Sequence, residues 1–138
     1  MTTISRTATR TRPADRFLRV ALRVDSIASA LSGLAFLGTQ EMFENLYGLP
    51  PAVTVPTGVF LLVFAAGVWL ASSPRTLNPK AVIAVIALNI IWVAATIVTL
   101  AAGLLPLTAL GVGFAIVQAA AVAVIAELEF IGLRKIGK

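Results

Sequence analysis

The chain has 138 residues, 59% of them hydrophobic and 12% charged, with 11 Lys and Arg against 6 Asp and Glu and neither Cys nor His. A soluble domain is about one-quarter charged, and a core this small cannot hide so much apolar surface from water, so the solvent of this chain is lipid. The absence of Cys and His excludes disulfides, thiolate or imidazole metal sites, His-ligated haem, and Ser–His or Cys–His nucleophiles.

Residues 1–15 read as a disordered basic cytoplasmic tail carrying Arg6, Arg10 and Arg12. Their Arg, Ser and Thr content is shared with transit peptides and signal n-regions, but a cleaved signal needs an unbroken apolar run, and Asp25 interrupts it. The first span covers residues 18–37. At 3.6 residues per turn, Asp25, Ser29, Ser32 and Phe36 share one stripe, with Gly33 at its edge. Arg23 points nearly the opposite way and is expected, with Arg19, to snorkel to lipid phosphates. A carboxylate within a span costs several kcal/mol and is a functional hypothesis by default. Its closeness to Arg23 leaves a shallow, wet, structural role open.

The first loop, "GTQEMFENLYGLPP", places Met42, Phe43, Leu46 and Tyr47 at helical spacing opposite Glu41 and Glu44. It predicts a short amphipathic helix on the outer membrane surface with its aromatics at headgroup level. The helix serves as an anchor or as a lid or partner contact. The second span, residues 55–71, has Pro56 at its entrance and no strongly polar residue. It is expected to face lipid more than the third does, with Trp69 as an interfacial anchor.

Asn78 and Pro79 supply an N-cap and a first-turn proline for the third span, residues 80–102. Asn89, Thr96 and Gly103 form its stripe, flanked by Trp92 and Thr99. Pro106 is expected to open the fourth span, residues 105–126, in which Gln118 aligns with Gly111 and Glu129. Gly111, Ala115, Ala119 and Ala123 form a small-residue ladder that permits close helix approach. Glu127 and Glu129 are expected at the cytoplasmic interface, balancing a basic tail over residues 134–138.

Short connections predict antiparallel neighbours. The expected organisation is an all-α, up-down bundle of four transmembrane helices over residues 16–133. All 11 basic residues fall on one side of this arrangement, which sets both termini in the cytoplasm and opposes a dual-topology dimer. Basic residues confined to short segments do not make the folded basic face that nucleic acid requires. The stripes predict one interior polar cluster of Asp25, Ser29, Ser32, Asn89, Trp92, Thr96 and Gln118. Asn89 and Gln118 lie at similar depth in adjacent helices and are expected to touch. Intramembrane amides also serve as plain interhelical glue, worth about 0.6 kcal/mol and at most about 2.

The stretches "LRVDSIASALSG", "YGLP", "LNIIW" and "VQAAAVAVIAELEFIGLRK" resemble small uncharacterised bacterial four-helix integral membrane proteins over most of residues 17–135. The resemblance implies the fold and residence in the bacterial cytoplasmic (inner) membrane, and it transfers no activity. The leading expectation is a non-enzymatic accessory or assembly subunit, without metal or cofactor, whose partners are the bilayer and other membrane subunits or further copies of itself. The alternative is a small oligomeric transporter with Asp25 as its proton- or cation-coupling carboxylate. There is a distant similarity to small multidrug-resistance transporters, which carry a membrane-embedded glutamate in the first helix. Here an aspartate sits nearer the cytoplasmic end.

Overall fold

A computed structural model describes residues 13–136 of the chain. The N-terminal part of the predicted basic tail and Lys138 lie outside the described residues. Four long helices dominate: α1 (Pro13–Gly38), α2 (Pro51–Ser72), α3 (Pro79–Ala102) and α4 (Ala109–Ile136). Each is long and apolar enough to cross a membrane, because backbone amides in lipid must find partners within their own segment. The connection between α1 and α2 holds a short helix, Gln40–Met42, continued by a π-helical turn over Phe43–Tyr47.

The helix ends follow local chemistry. Asn78 caps α3 by accepting the Lys80 amide at 3.0 Å, ahead of Pro79 at the first helical position. Gly48 and Gly103 end their helices at φ of 75° and 62°, the left-handed geometry that glycine adopts without a Cβ penalty. Two expected starts are displaced. Helix α2 begins at Pro51, which puts Pro56 inside the helix rather than at its entrance. Helix α4 begins after Pro106, where the Thr108 hydroxyl accepts the Gly111 amide at 3.0 Å. A hydroxyl that takes up a first-turn donor terminates the loop better than a proline that only lacks one.

The helices are arranged around the bundle as α2, α1, α4, α3. Helices α1 and α2 pack most closely, α4 touches both α1 and α3, and α2 and α3 meet only sparsely despite their short connection. The α1–α2 crossing is tight because two glycines face each other. A Cβ on Gly33 would stand 2.9 Å from the Gly58 carbonyl oxygen. Ser26 donates across the same seam to the Ala65 carbonyl at 2.7 Å. This overturns the expectation that the second span faces lipid more than the third does. In α2 33% of the apolar window is buried, against 22% in α3, since glycine-mediated backbone approach buries a helix without polar residues.

Two other expectations change. The guanidinium of Arg19 donates to the backbone carbonyls of Ser72 and Arg75. Arg23 donates to the Ser72 hydroxyl at 3.3 Å and lies 4.5 Å from the centre of the Trp69 ring. Both arginines therefore dock on the C-terminus of α2, where unpaired carbonyls attract cations, rather than reaching for lipid phosphates. Of the four apolar residues expected on this short helix, Met42 and Leu46 remain exposed. Phe43 is buried, and its ring lies 4.6 Å from that of Phe36, while Tyr47 stacks on Phe114 at 4.9 Å. The aromatics cap the bundle instead of lying at headgroup level, because Gly111 leaves room for the Tyr47 backbone against α4.

Candidate functional site

The polar stripes converge as expected but form two groups rather than one thread. The inner group joins three helices. Asn89 on α3 donates from one amide nitrogen to Asp25 Oδ2 on α1 at 2.7 Å and to Glu129 Oε1 on α4 at 3.0 Å. Asp25 is 3% exposed, Asn89 4% and Glu129 0%. Ser29 sits one turn beyond Asp25, with its hydroxyl 3.5 Å from Oδ1. The second oxygen of Glu129 is buried without a hydrogen-bond partner.

The site is deep. At about 1.5 Å per residue, Asp25 lies about 18 Å along α1 from Pro13, Asn89 about 15 Å along α3 from Pro79, and Glu129 about 10 Å from Ile136. Glu129 is enclosed by the bundle rather than facing water beside Arg134 and Lys135. The last turns of α4 pack on the first turns of α1: a Cβ on Gly132 would meet the Leu18 side chain at 2.9 Å. That contact turns the carboxyl of Glu129, three residues earlier and on the same face, into the bundle. Its alignment with Gln118 and Gly111 was the available signal, and the basic tail beside it masked that signal. Glu127 is exposed.

The second group lies toward the end of the bundle that carries the 39–50 and 103–108 connections. Trp92 Nε1 donates to Gln118 Oε1 at 2.7 Å, and Gln118 Nε2 donates to Thr96 Oγ1 at 3.2 Å and to the Ala115 carbonyl at 3.1 Å. Asn89 and Gln118 thus serve different partners, which corrects their expected mutual contact. Each amide is drawn to a stronger neighbour, a carboxylate for Asn89 and the indole N–H for Gln118. Ser32 has an exposed backbone environment and stands apart from both hydrogen-bonded groups, although it borders the inner cavity.

Two cavities adjoin these groups. The inner one, about 130 Å³, is bordered by Asp25, Ser29, Asn89 and Gln118 together with Phe60 and Phe64, and among the described residues Asp25 is its only charged wall residue. The outer one, about 210 Å³, lies under the outer loops between α2 and α3, with Thr57, Thr96 and Ala115 among its walls. Phe36, Trp92, Phe114 and Gln118 border both cavities. The Phe60 and Trp92 rings are parallel to within 3° at 6.2 Å and bridge the sparse α2–α3 seam.

Chemically, the inner group offers two carboxyls that share a single neutral amide donor. Among the described residues, no three potential metal-ligating His, Cys, Asp or Glu side chains converge. The arrangement suits the binding of a proton or a cationic group next to an aromatic-walled space. No protein-family model, curated protein or solved structure matches the chain.

Proposed function

We propose that this chain is a non-enzymatic, multi-pass protein of the bacterial cytoplasmic (inner) membrane, with both termini cytoplasmic. In this reading it carries a small solute by taking up and releasing a proton or cation at Asp25 and Glu129. The observation that supports this reading is the Asn89 amide shared by two buried carboxyls from different helices. Structural glue needs only neutral partners. Among the described residues neither acid has a cationic partner, and two carboxyls that share one amide make a place for a proton or a bound cation. The aromatic cavity beside Asp25 supplies the space for a solute coupled to that change.

An accessory or assembly subunit, in contact with other membrane proteins or with further copies of itself, is the second reading. It is favoured by the short connections over residues 39–50, 73–78 and 103–108, which keep nearly all of the described mass within the bilayer. Vesicles reconstituted with the protein under an imposed pH gradient separate the two. The carrier dissipates the gradient when small cations are supplied, and Asp25→Asn and Glu129→Gln abolish this while keeping expression and oligomeric state. A protein that leaves the gradient intact and purifies in mild detergent with stoichiometric partners is an accessory subunit.

A further inference from the structure

We infer that the inner and outer cavities are two halves of one binding site for an amphipathic ammonium ion, divided by a latch formed by Trp92 and Gln118. The inference rests on the reading of Asp25 and Glu129 as a solute site, and it names the class of solute and its way in.

Size is the first argument. Separately, the cavities of 130 and 210 Å³ fall short of the roughly 300 Å³ at which ligand pockets begin. Joined, they exceed it. Four residues form the shared wall, and the hydrogen bond from Trp92 to Gln118 at 2.7 Å closes it. Both latch residues are only half-buried, and Gln118 keeps a second partner in Thr96 at 3.2 Å. Release of the indole leaves Gln118 Nε2 held by Thr96 and the Ala115 carbonyl, while Gln118 Oε1 and the indole N–H are freed to face the joined space.

Chemistry is the second. The inner half ends in the carboxyl of Asp25, its only charged wall residue among those described. Its other walls include Phe60, Phe64, Trp92 and Phe114. A carboxylate set among aromatic faces selects a cation that carries apolar substituents, because the ring faces attract the charge and the same surfaces bury the hydrocarbon. A strongly hydrated metal cation gains nothing from such walls. The outer half is apolar apart from its threonines and Gln118, which suits the hydrocarbon body of the same molecule. Access runs laterally from the bilayer through the α2–α3 seam, where the two helices meet only sparsely.

The test uses full-length protein in nanodiscs carrying Trp69→Phe, which leaves Trp92 as the only indole. The probes are benzyltrimethylammonium and its uncharged carbon analogue, neopentylbenzene. The ammonium should change Trp92 emission saturably, and the neutral analogue should bind at least about tenfold more weakly, as the loss of a desolvated cation–π and ionic contact requires. Asp25→Asn should weaken ammonium binding to a similar extent. Ala115→Phe, which fills the outer half while leaving the carboxyls untouched, should also remove it; gel filtration checks that each variant is folded. Equal binding of the two probes, or wild-type binding in either variant, overturns the inference. Saturable ammonium binding without gradient dissipation overturns the carrier and leaves this site standing. Passage of alkali cations without ammonium binding does the reverse.

Discussion

Asn89 and Asp25 touch each other, yet their substitutions should act in opposite directions. Asn89→Leu removes the donor that serves both Asp25 Oδ2 and Glu129 Oε1, leaving two buried acceptors unpaired. A loss of about 2–3 kcal/mol is expected, the range for orphaned buried groups, read as a lower midpoint in denaturant titration of the detergent-solubilised protein. Asp25→Asn keeps the side chain's volume and a hydrogen-bonding group, and removes one of two buried acids that have no cationic partner among the described residues. Its fold should be unchanged or more stable by about 1 kcal/mol, since breaking up an uncompensated buried charge favours the folded state. If Asp25→Asn proves the more destabilising of the two, the carboxyl is a structural keystone and the functional assignment loses its basis. Arg23→Gln is the matched control on the far side of α1: it disturbs the contact with Ser72 and Trp69 and leaves the acid pair alone.

Between helices, close approach at glycine decides which faces are buried. Gly33→Ala sets a methyl 2.9 Å from the Gly58 carbonyl oxygen and 3.1 Å from Leu62 Cγ. A backbone atom cannot rotate away, so the α1–α2 pair must separate, at about 1–3 kcal/mol for an overpacked seam. Gly113→Ala on α4 meets nothing within 4 Å and should be neutral or stabilising by up to about 1 kcal/mol through helix propensity alone. A comparable loss from both substitutions would mean that the crossing is not glycine-dependent. Gly111 carries a different contact. A Cβ there would collide with the Tyr47 carbonyl oxygen, which accepts the Thr108 amide at 3.1 Å. Gly111→Ala is therefore expected to dislodge the aromatic cap over Phe36 and Phe114. Amide hydrogen exchange over residues 40–48 should accelerate while that of α1 and α2 stays slow.

The arrangement across the bilayer follows from charge. In the sequence every basic residue falls on one side of a four-span arrangement, and the proposed cytoplasmic termini rest on that bias. A reporter fused to the C-terminus should report the cytoplasm, and one inserted after Tyr47 the outside. The opposite result would invert the depth of the acid cluster and the side from which the outer cavity opens. The bundle is also lopsided. Its two hairpins join through α1 and α4, so the sparse α2–α3 seam is the line along which it opens most easily. Separation there stretches the Phe60–Trp92 contact and few others, while the Gly33–Gly58 crossing and the Asn89 bridge hold the rest. A double-cysteine crosslink placed across this seam should abolish solute exchange without changing thermal stability.

Length, hydropathy and the placement of Pro, Asn and Gly made the four helices legible from the chain alone, because lipid allows a single solution for a run of some 20 apolar residues. Helical periodicity likewise brought Asp25, Ser29, Asn89, Trp92, Thr96 and Gln118 to the interior, since a polar side chain in a span turns away from acyl chains. Partner choice lay beyond that reach. Periodicity assigns a face to each helix but not the order of the helices around the axis, so it left open whether Asn89 meets Gln118 or the two acids. The same limit hid Glu129, whose basic neighbours suggested water. Only the packing of Gly132 on Leu18 carries α4 past its predicted end and turns that carboxyl inward. Helix α2 was misjudged for a related reason: its burial comes from backbone approach at Gly58, which no polarity pattern encodes. Local chemistry settled where each helix runs and which side is polar, and three-dimensional contact settled which polar groups share a site.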